Sequence, residues 1–481
     1  MFIASVENET VSNQFQYIIK TFSQIYRIPC QILRQDELQN QADNGLLISY
    51  GKKLPTWQGK HIHIYESTFF GEEYLTAKSL PCTPLPRYND LPVLYLGGEG
   101  KEPFINRKGN LIETNIDLIA SSFFMLTRYE EVVNHVPTIL DEHERFPAIA
   151  SIAYQENFLH RPIVNEYFEI LWYCIKELVP YIEKKSLWRD KDFALCLTHD
   201  VDAVQKYKPL SEALTIGGLL LKQHSPKKAA TRFVDNILVA LRKKNDPFDT
   251  FDMILNLEQR YDATSTFFFM TEPDFSGGYC LDEPKVRQTI NKVSAAGAEI
   301  GLHAGYYSYN NQENINRQKG NLTKILQHGN FGCRQHYLRW KTPDTWRIQE
   351  ECGIIYDTTL CFADHEGFRA GICHPFQPFD IKENRILNLW EIPLTIMDGS
   401  LFNYRKLSPI EGLSTIESYI ETVKKLQGLL VLLWHNSFFD SDIYPGWTDI
   451  YEKVLASTVN ANGLLTNANN ILNHFINSTS R

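Results

Sequence analysis

Two carboxylates at the end of an apolar run are the residues best suited to chemistry, in the stretch Ala194-Leu-Cys-Leu-Thr-His-Asp-Val-Asp202. In a strand, residues two apart point to the same face, so Asp200 and Asp202 should project together. Neighbouring carboxylates repel, and both stay ionised only where a cation or a hydrogen-bond network offsets them. The pair therefore predicts a divalent metal held by one aspartate while the other takes a proton. An Asp-rich turn is the alternative for the pair taken alone.

Other polar side chains end three later apolar runs. They are His303, then Arg334 with His336, and finally His435. In a barrel of alternating strands and helices, active sites are built at the carboxyl ends of the strands. These residues and the two aspartates are therefore expected on one rim, which favours a metal-dependent hydrolase.

The elements that must position these residues alternate between helix and strand from residue 247 onward, which predicts a parallel α/β barrel or sheet. Among the expected strands are 356–362 and 387–394. A basic helical insert is expected at about 205–246, directly after the two aspartates. Its charge runs indicate either a solvated face or the border of a site for anionic glycans.

Residues 1–185 are expected to form a separate α/β (or α+β) domain. The apolar spacing predicts helices over 13–27, 116–131 and 162–179, with short strands between them. The charged segment 183–192 is the expected boundary to a second domain over 192–475. His61 and His63 alternate on one predicted strand and are interpreted as exposed or satisfied histidines rather than metal ligands.

The composition excludes several classes of protein. With 481 residues, a net charge of −9 and a pI near 5.9, the chain has no basic surface that would recommend nucleic acid as a partner. The start has no signal-peptide pattern, and no apolar run approaches the ~18 residues of a membrane span. Nine scattered cysteines without a C-x-x-C pair argue against a disulfide framework, so a reducing compartment, the cytoplasm, is expected. The oligomeric state stays open.

Over about 192–470, the ordered strand-end residues resemble those of the polysaccharide deacetylases with a NodB-type catalytic domain. Thr198 to Asp202 resembles the first motif in a D-x-D form, and Glu299 to His303 resembles the second. Arg334 within Cys333 to Tyr337 resembles the third motif, and Leu433-Trp-His435 resembles the last. The first 185 residues are similar to an uncharacterised domain that precedes such catalytic domains in some bacterial proteins, and they imply no function.

This resemblance implies a distorted (β/α) barrel of the NodB type that holds a divalent metal. Asp202 and His303 would be ligands, with zinc expected and Co²⁺ or Ni²⁺ as alternatives. The family's usual second histidine is missing, because Tyr307 stands at its position. His336, two residues past Arg334 and so on the same strand face, is the expected substitute. His365 and His374 are less favoured, and Tyr307 and Tyr337 are expected to contact the substrate.

The resemblance also implies removal of acetyl groups from an N-acetylated (or O-acetylated) sugar or glycan. Asp200 would be the general base, and Arg334 would orient it and keep it ionised. His435 would protonate the leaving group as general acid. Leu433 and Trp434 would form an apolar slot for the acetyl methyl group. Arg369 and Phe368 are further candidates for substrate contact.

Three alternatives remain at this point. The chain is a catalytically inactive carbohydrate-binding relative, a D-x-D metal-dependent glycosyltransferase, or a hydrolase of another carbon–nitrogen bond such as a cyclic amide. The missing second histidine favours the first. The glycosyltransferase alternative does not explain the arginine and histidine residues that follow the two aspartates in the sequence. A cytoplasmic deacetylase would act on a precursor sugar or a lipid-linked intermediate, with polysaccharide biosynthesis as the setting.

Overall fold

The computed structural model describes residues 2–40, 45–98, 102–134, 137–207, 226–275 and 277–477. Most of the strands form two separate sheets, one in each half of the chain, and every pairing in these two sheets is parallel except one. Helices connect and cover the strands, as parallel pairing requires. The predicted α/β class is therefore confirmed.

In its described ranges, the N-terminal half contains eight strands and five α-helices. The strands are β1 (Phe2–Val6), β2 (Cys30–Arg34), β3 (Leu46–Gly51), β4 (Lys60–Tyr65), β5 (Arg87–Tyr88), β6 (Leu91–Pro92), β7 (Ile105–Lys108) and β8 (Leu111–Thr114). The helices are α1 (Ser12–Tyr26), α2 (Leu118–Leu126), α3 (Tyr129–Val133), α4 (Ile152–Gln155) and α5 (Ile163–Leu178). Six strands form a sheet in the order β2-β1-β3-β4-β8-β7, with β7 antiparallel, and β5 and β6 form a hairpin.

The C-terminal half contains eleven strands in the described ranges. They are β9 (Phe193–Val201), β10 (Thr266–Phe269), β11 (Glu299–Ala304), β12 (Cys333–Gln335), β13 (Tyr356–Asp357), β14 (Phe379–Asp380), β15 (Arg385–Ile386), β16 (Trp390–Glu391), β17 (Ile396–Met397), β18 (Leu429–Leu433) and β19 (Gly463–Thr466). Nine of them form one parallel sheet in the order β16-β13-β12-β11-β10-β9-β18-β17, and β19 also pairs with β9. This curled sheet confirms the predicted distorted barrel.

Eight helices accompany this sheet in the described ranges. They are α6 (Pro226–Ala240), α7 (Phe251–Gln259), α8 (Pro284–Ala295), α9 (Gln312–Leu326), α10 (Asp344–Glu351), α11 (Pro409–Lys425), α12 (Trp447–Asn460) and α13 (Ala468–Asn477). Helix α11 begins with a complete capping box between Ser408 and Glu411. Within the described ranges, no helix combines the length and the apolar character that a membrane crossing needs.

Three predicted elements are shorter than the sequence pattern indicates. The strands expected over 356–362 and 387–394 reduce to the two-residue strands β13 and β16. The helix expected over 116–131 breaks into α2 and α3, because Arg128 has a φ of 50° and its buried guanidinium turns into an ion-pair cluster. The apolar runs over 356–362 and 387–394 are therefore buried without pairing to a neighbouring strand along their whole length.

A buried ion-pair cluster joins the two halves of the chain. Arg369 donates from Nε and Nη2 to the two carboxylate oxygens of Glu131, each at 2.9 Å. Arg128 donates to Glu130 and Glu131 at 2.8 and 2.9 Å and also binds the carbonyl of Arg369. Burial alone raises the pKa of Glu131, but the two guanidinium groups outweigh it and lower this pKa to about 2. Arg369 therefore serves the junction and not the substrate.

Glu131→Gln should destabilise the protein by about 3–5 kcal/mol, because it leaves two buried arginines without their shared carboxylate. Urea unfolding at neutral pH measures the change. The pKa of Glu131 is depressed, so its contribution is fully present above pH ~4.5 and fades as the pH falls toward 2. The exposed pair Arg107–Glu177 supplies the control. Glu177→Gln should cost ~1 kcal/mol or less, and equal effects would contradict a special role for the cluster.

One hydrophobic core runs through both halves, so the boundary at 183–192 stays a prediction. His61 and His63 are buried on β4, and each bonds the hydroxyl of Ser49 at 2.7 Å. Burial lowers the pKa of both imidazoles to about 4. Both are buried and not exposed, Nε2 of His63 has no hydrogen-bond partner, and the two residues lie outside the metal-ligand cluster described below.

Candidate active site

Every strand-end residue predicted from sequence lies at the carboxyl end of the C-terminal sheet. Asp200 is the last but one residue of β9, and Asp202 follows that strand directly. His303 lies near the end of β11, beside Arg334 of β12 in the parallel register. His435 comes two residues after β18. Because these strands are neighbours in one sheet, their ends place the side chains around a common pocket.

Three side chains form a cluster suited to a metal ion. One donor atom from each of Asp202, His303 and His336 lies within 4.8 Å of the other two. Nε2 of His303 and Nε2 of His336 lie 3.2 and 3.7 Å from Oδ1 of Asp202. In the part of the chain that the structure describes, this is the only group of three or more such residues. His336 thus lies where a third ligand is needed, while Tyr307 does not.

His336 reaches the cluster from a turn and not from a strand. Strand β12 ends at Gln335, and Tyr337 and Leu338 have φ angles of 62° and 52°. The expectation that His336 shares a strand face with Arg334 is corrected here, because the left-handed residues bend the chain back. The turn directs the ring of His336 toward that of His303, with centroids 5.1 Å apart.

Hydrogen bonds fix the orientation of both imidazoles. Nδ1 of His303 donates to the carbonyl of Arg334 at 3.0 Å, and Nδ1 of His336 lies 3.4 Å from Oδ2 of Asp274. A partner on Nδ1 leaves the Nε2 lone pair directed at the cluster, as in metal sites generally. Asp274 lies in the loop after β10.

Unsatisfied atoms mark the same point. Oδ1 of Asp202 and Nε2 of His303 are buried without a hydrogen-bond partner, as is Oδ1 of Asp200. Burial raises the pKa of Asp202, but three neighbouring imidazoles outweigh it and hold this pKa well below its usual range. The side chain is 38% exposed, so water screens part of this effect. Carboxylate oxygens and imidazole nitrogens that lie this close together and lack hydrogen-bond partners fit the ligand set of a divalent transition metal.

Arg334 lies behind Asp200. Its Nη1 is 3.5 Å from Oδ1 of Asp200, and its Nη2 donates to the hydroxyls of Thr198 and Thr358 at 3.1 and 3.2 Å. The guanidinium is fully buried, and two threonine hydroxyls fix its plane. It therefore supplies a fixed positive charge beside the carboxylate.

His435 lies across the pocket and is paired with Asp398. Nδ1 of His435 is 2.8 Å from Oδ1 of Asp398, and its backbone N–H donates to Oδ2 at 2.6 Å. Burial lowers the pKa of His435, but Asp398, with smaller contributions from Asp202 and Asp200, raises it to about 10. Nε2 faces the cluster, 3.8 Å from Oδ2 of Asp202.

A pocket of about 290 Å³ lies over these groups, at the lower end of the range for ligand sites. Its apolar lining is Leu338, Met397 and Phe438. Its polar lining includes Asn403, Tyr404 and Ser437. The pocket thus combines a few apolar side chains with hydroxyl and amide groups.

The N-terminal half contributes Arg145 to this pocket. Its Nε donates to Asp141 at 2.8 Å, its Nη1 to the carbonyl of Tyr337 at 2.8 Å, and its Nη2 to the hydroxyl of Tyr404 at 2.9 Å. The side chain is buried. Arg145 therefore ties the turn that carries His336 to the opposite wall.

The predicted substrate-contact residues are distributed unevenly. Tyr337 lines the pocket, and Tyr307 is exposed, with its ring against Tyr306 outside the lining. Leu433 and Trp434 are fully buried and do not line the pocket. Trp434 packs on Trp447 of α12, because successive strand residues alternate between the sheet's faces. Leu338 and Met397 are apolar residues that do line the pocket.

The other candidate histidines have separate partners. His374 is fully buried and bonds Asn165 at 2.8 Å, while His365 contacts Arg405. Both nitrogens of His199 are satisfied, by the carbonyl of Trp434 and by Glu258. None of the three belongs to the metal-ligand cluster.

Sequence reasoning missed three contributors: Asp274, Asp398 and Arg145. Asp398 follows β17, so it carried the same strand-end signal as the others, hidden by the two-residue length of that strand. Asp274 lies several residues beyond β10. Arg145 had no detectable signal, because only the tertiary fold brings it to the pocket.

Comparison with known proteins gives a family for one part of the chain. Residues 3–180 match the model of a family of unknown function, DUF7033, which covers less than half of the chain. No curated protein matches the chain.

Solved structures resemble the rest of the chain at low identity. A putative polysaccharide deacetylase from Mycobacterium smegmatis is 16% identical, with 60% of this chain and 92% of that chain covered and a TM-score of 0.41. A probable polysaccharide deacetylase from Pseudomonas aeruginosa PAO1 is 13% identical, covering 61% and 95% with a TM-score of 0.42. A mutant of BA3943, a CE4 family pseudoenzyme, is 9% identical, covering 58% and 67% with a TM-score of 0.31. Because each TM-score is below 0.5, the reaction must be inferred from this chain's own residues.

Proposed function

We propose that this chain is a metal-dependent hydrolase that removes acetyl groups from an N-acetylated (or O-acetylated) sugar or glycan. The observation that carries the proposal is the arrangement of the metal-ligand cluster between two groups of opposite function. Asp200, a carboxylate, lies 3.8 Å from His303, and His435, an imidazole paired with Asp398, lies 3.8 Å from Asp202. Amide or ester hydrolysis needs a base for water and an acid for the leaving group in this relation.

Asp202, His303 and His336 would hold the metal, which matches the three protein ligands of catalytic zinc sites. The bound ion would act as a Lewis acid on the acyl carbonyl and on water. Zinc is the proposed ion, with Co²⁺ and Ni²⁺ as alternatives. The nearby carboxylates outweigh burial and raise the pKa of His303, so its proton would compete with the metal and affinity should increase with pH.

Asp200 would take the proton of the attacking water. Its Oδ1 faces the guanidinium of Arg334 at 3.5 Å, and its Oδ2 lies on the side of the metal-ligand cluster, 3.8 Å from Nε2 of His303. Arg334 would hold the carboxylate in position without occupying the side that faces the pocket. After product release, Asp200 would give its proton to solvent and His435 would take one up, which restores the starting state.

His435 would donate its proton to the leaving amine or alcohol. A pKa raised to about 10 keeps the imidazole charged at neutral pH, so the acid form is ready before substrate arrives. The apolar lining residues Leu338 and Met397 would contact the acetyl methyl group. Asn403, Tyr404 and Ser437 would hydrogen-bond the sugar hydroxyls.

Acetate release from N-acetylglucosamine oligosaccharides and from an O-acetylated glycan tests the proposal. We expect release that stops when a chelator removes the metal and returns when zinc or cobalt is added. Glycan binding without acetate release, in protein with full metal content, would contradict the hydrolase and point to a binding protein. Transfer of a sugar from a nucleotide donor that is indifferent to His435→Gln would support the glycosyltransferase alternative instead.

A further inference from the structure

Helix α6 presents apolar side chains to solvent, whereas an ordinary surface helix turns its apolar side toward the core. Its outward side chains are Phe233, Val234, Ile237 and, one residue past its end, Leu241, with exposed fractions of 53%, 52%, 42% and 60%. These positions form one stripe at helical spacing. We call these four residues the outer face of α6.

The opposite side of α6 is polar and contacts the protein. The guanidinium of Arg232 lies 5.5 Å from the ring centre of Tyr207, and Asp235 accepts from the hydroxyl of Tyr207 at 3.4 Å. Asp235 also pairs with Lys244 at 2.9 Å. Polar contacts thus hold α6 against the protein, while its apolar residues point to solvent. Such an arrangement costs free energy unless something covers the outer face.

The charge around the outer face is strongly positive. Residues 226–245 contain six cationic side chains and one acidic side chain, a difference of +5, in a chain whose net charge is −9. The cationic residues are Lys227, Lys228, Arg232, Arg242, Lys243 and Lys244. Arg232 and Lys244 contact the protein side of α6, and the exposed cations include Lys227, Arg242 and Lys243. An apolar stripe bordered by lysine and arginine is the pattern of helices that lie in the interface of an anionic membrane. Each cation near such a surface contributes ~1 kcal/mol of attraction.

The segment is anchored beside the candidate active site. Asp246 accepts from the backbone N–H groups of Lys206 and Tyr207 at 2.8 and 3.0 Å. Lys206 pairs at 2.6 Å with Asp440, which comes two residues after the pocket residue Phe438 in the sequence. The insert therefore leaves the sheet at the carboxyl ends of the strands, where the pocket is.

We propose that α6 binds an anionic membrane surface, with its outer face among the acyl chains and its flanking cations on the lipid headgroups. The association is peripheral and depends on both the apolar stripe and the charge. If the proposed deacetylase function also holds, membrane binding would bring the pocket to glycans attached to lipid. That second step rests on the proposed function, whereas the membrane contact does not.

Sedimentation with vesicles tests the membrane contact without any use of activity. The full chain should sediment with phosphatidylcholine–phosphatidylserine vesicles and much less with vesicles of phosphatidylcholine alone. Added salt should weaken the binding to the anionic vesicles. The variant Phe233→Ser, Ile237→Ser, Leu241→Ser should lower the partition coefficient at least ~10-fold, because three apolar side chains lose their burial. The variant Arg242→Gln, Lys243→Gln should reduce binding to the anionic vesicles only.

Ile410→Ser is the matched control, since Ile410 is an exposed apolar residue on another helix, α11, and binding should persist. Thermal unfolding should show that each variant is folded. Failure of the wild-type chain to bind anionic vesicles would overturn the proposal, as would equal binding by the triple serine variant. A wild-type dimer that this variant converts to a monomer, without vesicle binding, would assign the outer face to contact between two copies.

Discussion

Asp202→Ala should be purified without metal, whereas the wild-type chain should hold about one divalent ion, zinc in the first instance. Oδ1 of Asp202 lies close to both Nε2 atoms, 3.2 Å from that of His303 and 3.7 Å from that of His336. Its loss removes the only carboxylate of the cluster and leaves two neutral ligands. Elemental mass spectrometry of dialysed protein, supplied in turn with zinc, cobalt and nickel, measures the stoichiometry.

His336→Ala should also lose the metal, because His336 is the proposed third ligand. Asp274→Asn should weaken affinity by roughly 10–100-fold while the ligands remain, because Asp274 only orients His336. Tyr307→Phe should bind metal as the wild type does. A wild-type chain that binds none of the three metals would contradict the catalytic proposal, and full binding by His336→Ala would remove His336 from the ligand set.

His435→Gln should lower kcat by about 10²–10⁴ and leave the metal content unchanged, because it removes a proton donor and no ligand. The exposed His160→Gln variant should have wild-type kcat. Metal loss in His435→Gln would instead make His435 a ligand. Kinetics of acetate release, with metal content determined on the same samples, separate these results.

Asp398→Asn should shift the pH dependence of kcat. In the wild type, Asp398 is the main group that raises the pKa of His435 to about 10, so the acid form is lost only as the pH rises toward that value. Without the carboxylate the pKa should move toward its ordinary value near 6.5. The alkaline limb should therefore move to lower pH. An unchanged alkaline limb would show that another group donates the proton.

The strand-end pattern predicts much of the site, for a physical reason. Parallel strands share one carboxyl edge, so Asp202, His303 and His435 could be brought together without knowing the angles between elements. Orientation could not be predicted in this way. The position of His336 depends on left-handed backbone at Tyr337, and the contact of Arg145 depends on how the two halves associate. Short strands such as β17 have too few residues to show the alternation of apolar and polar side chains that identifies a strand in the sequence.

The order of strands in the C-terminal sheet also bears on how the site assembles. Asp202, His303 and His336 belong to β9, β11 and the turn after β12, and all three precede Asp398 and His435 in the chain. Asp398 and His435 follow β17 and β18, and β18 pairs with β9 from far along the chain. Pairing between segments so distant is slow, because the intervening loop must close first. During synthesis Asp202, His303 and His336 therefore leave the ribosome before Asp398 and His435, and we expect the proton-donor side of the site to be completed last.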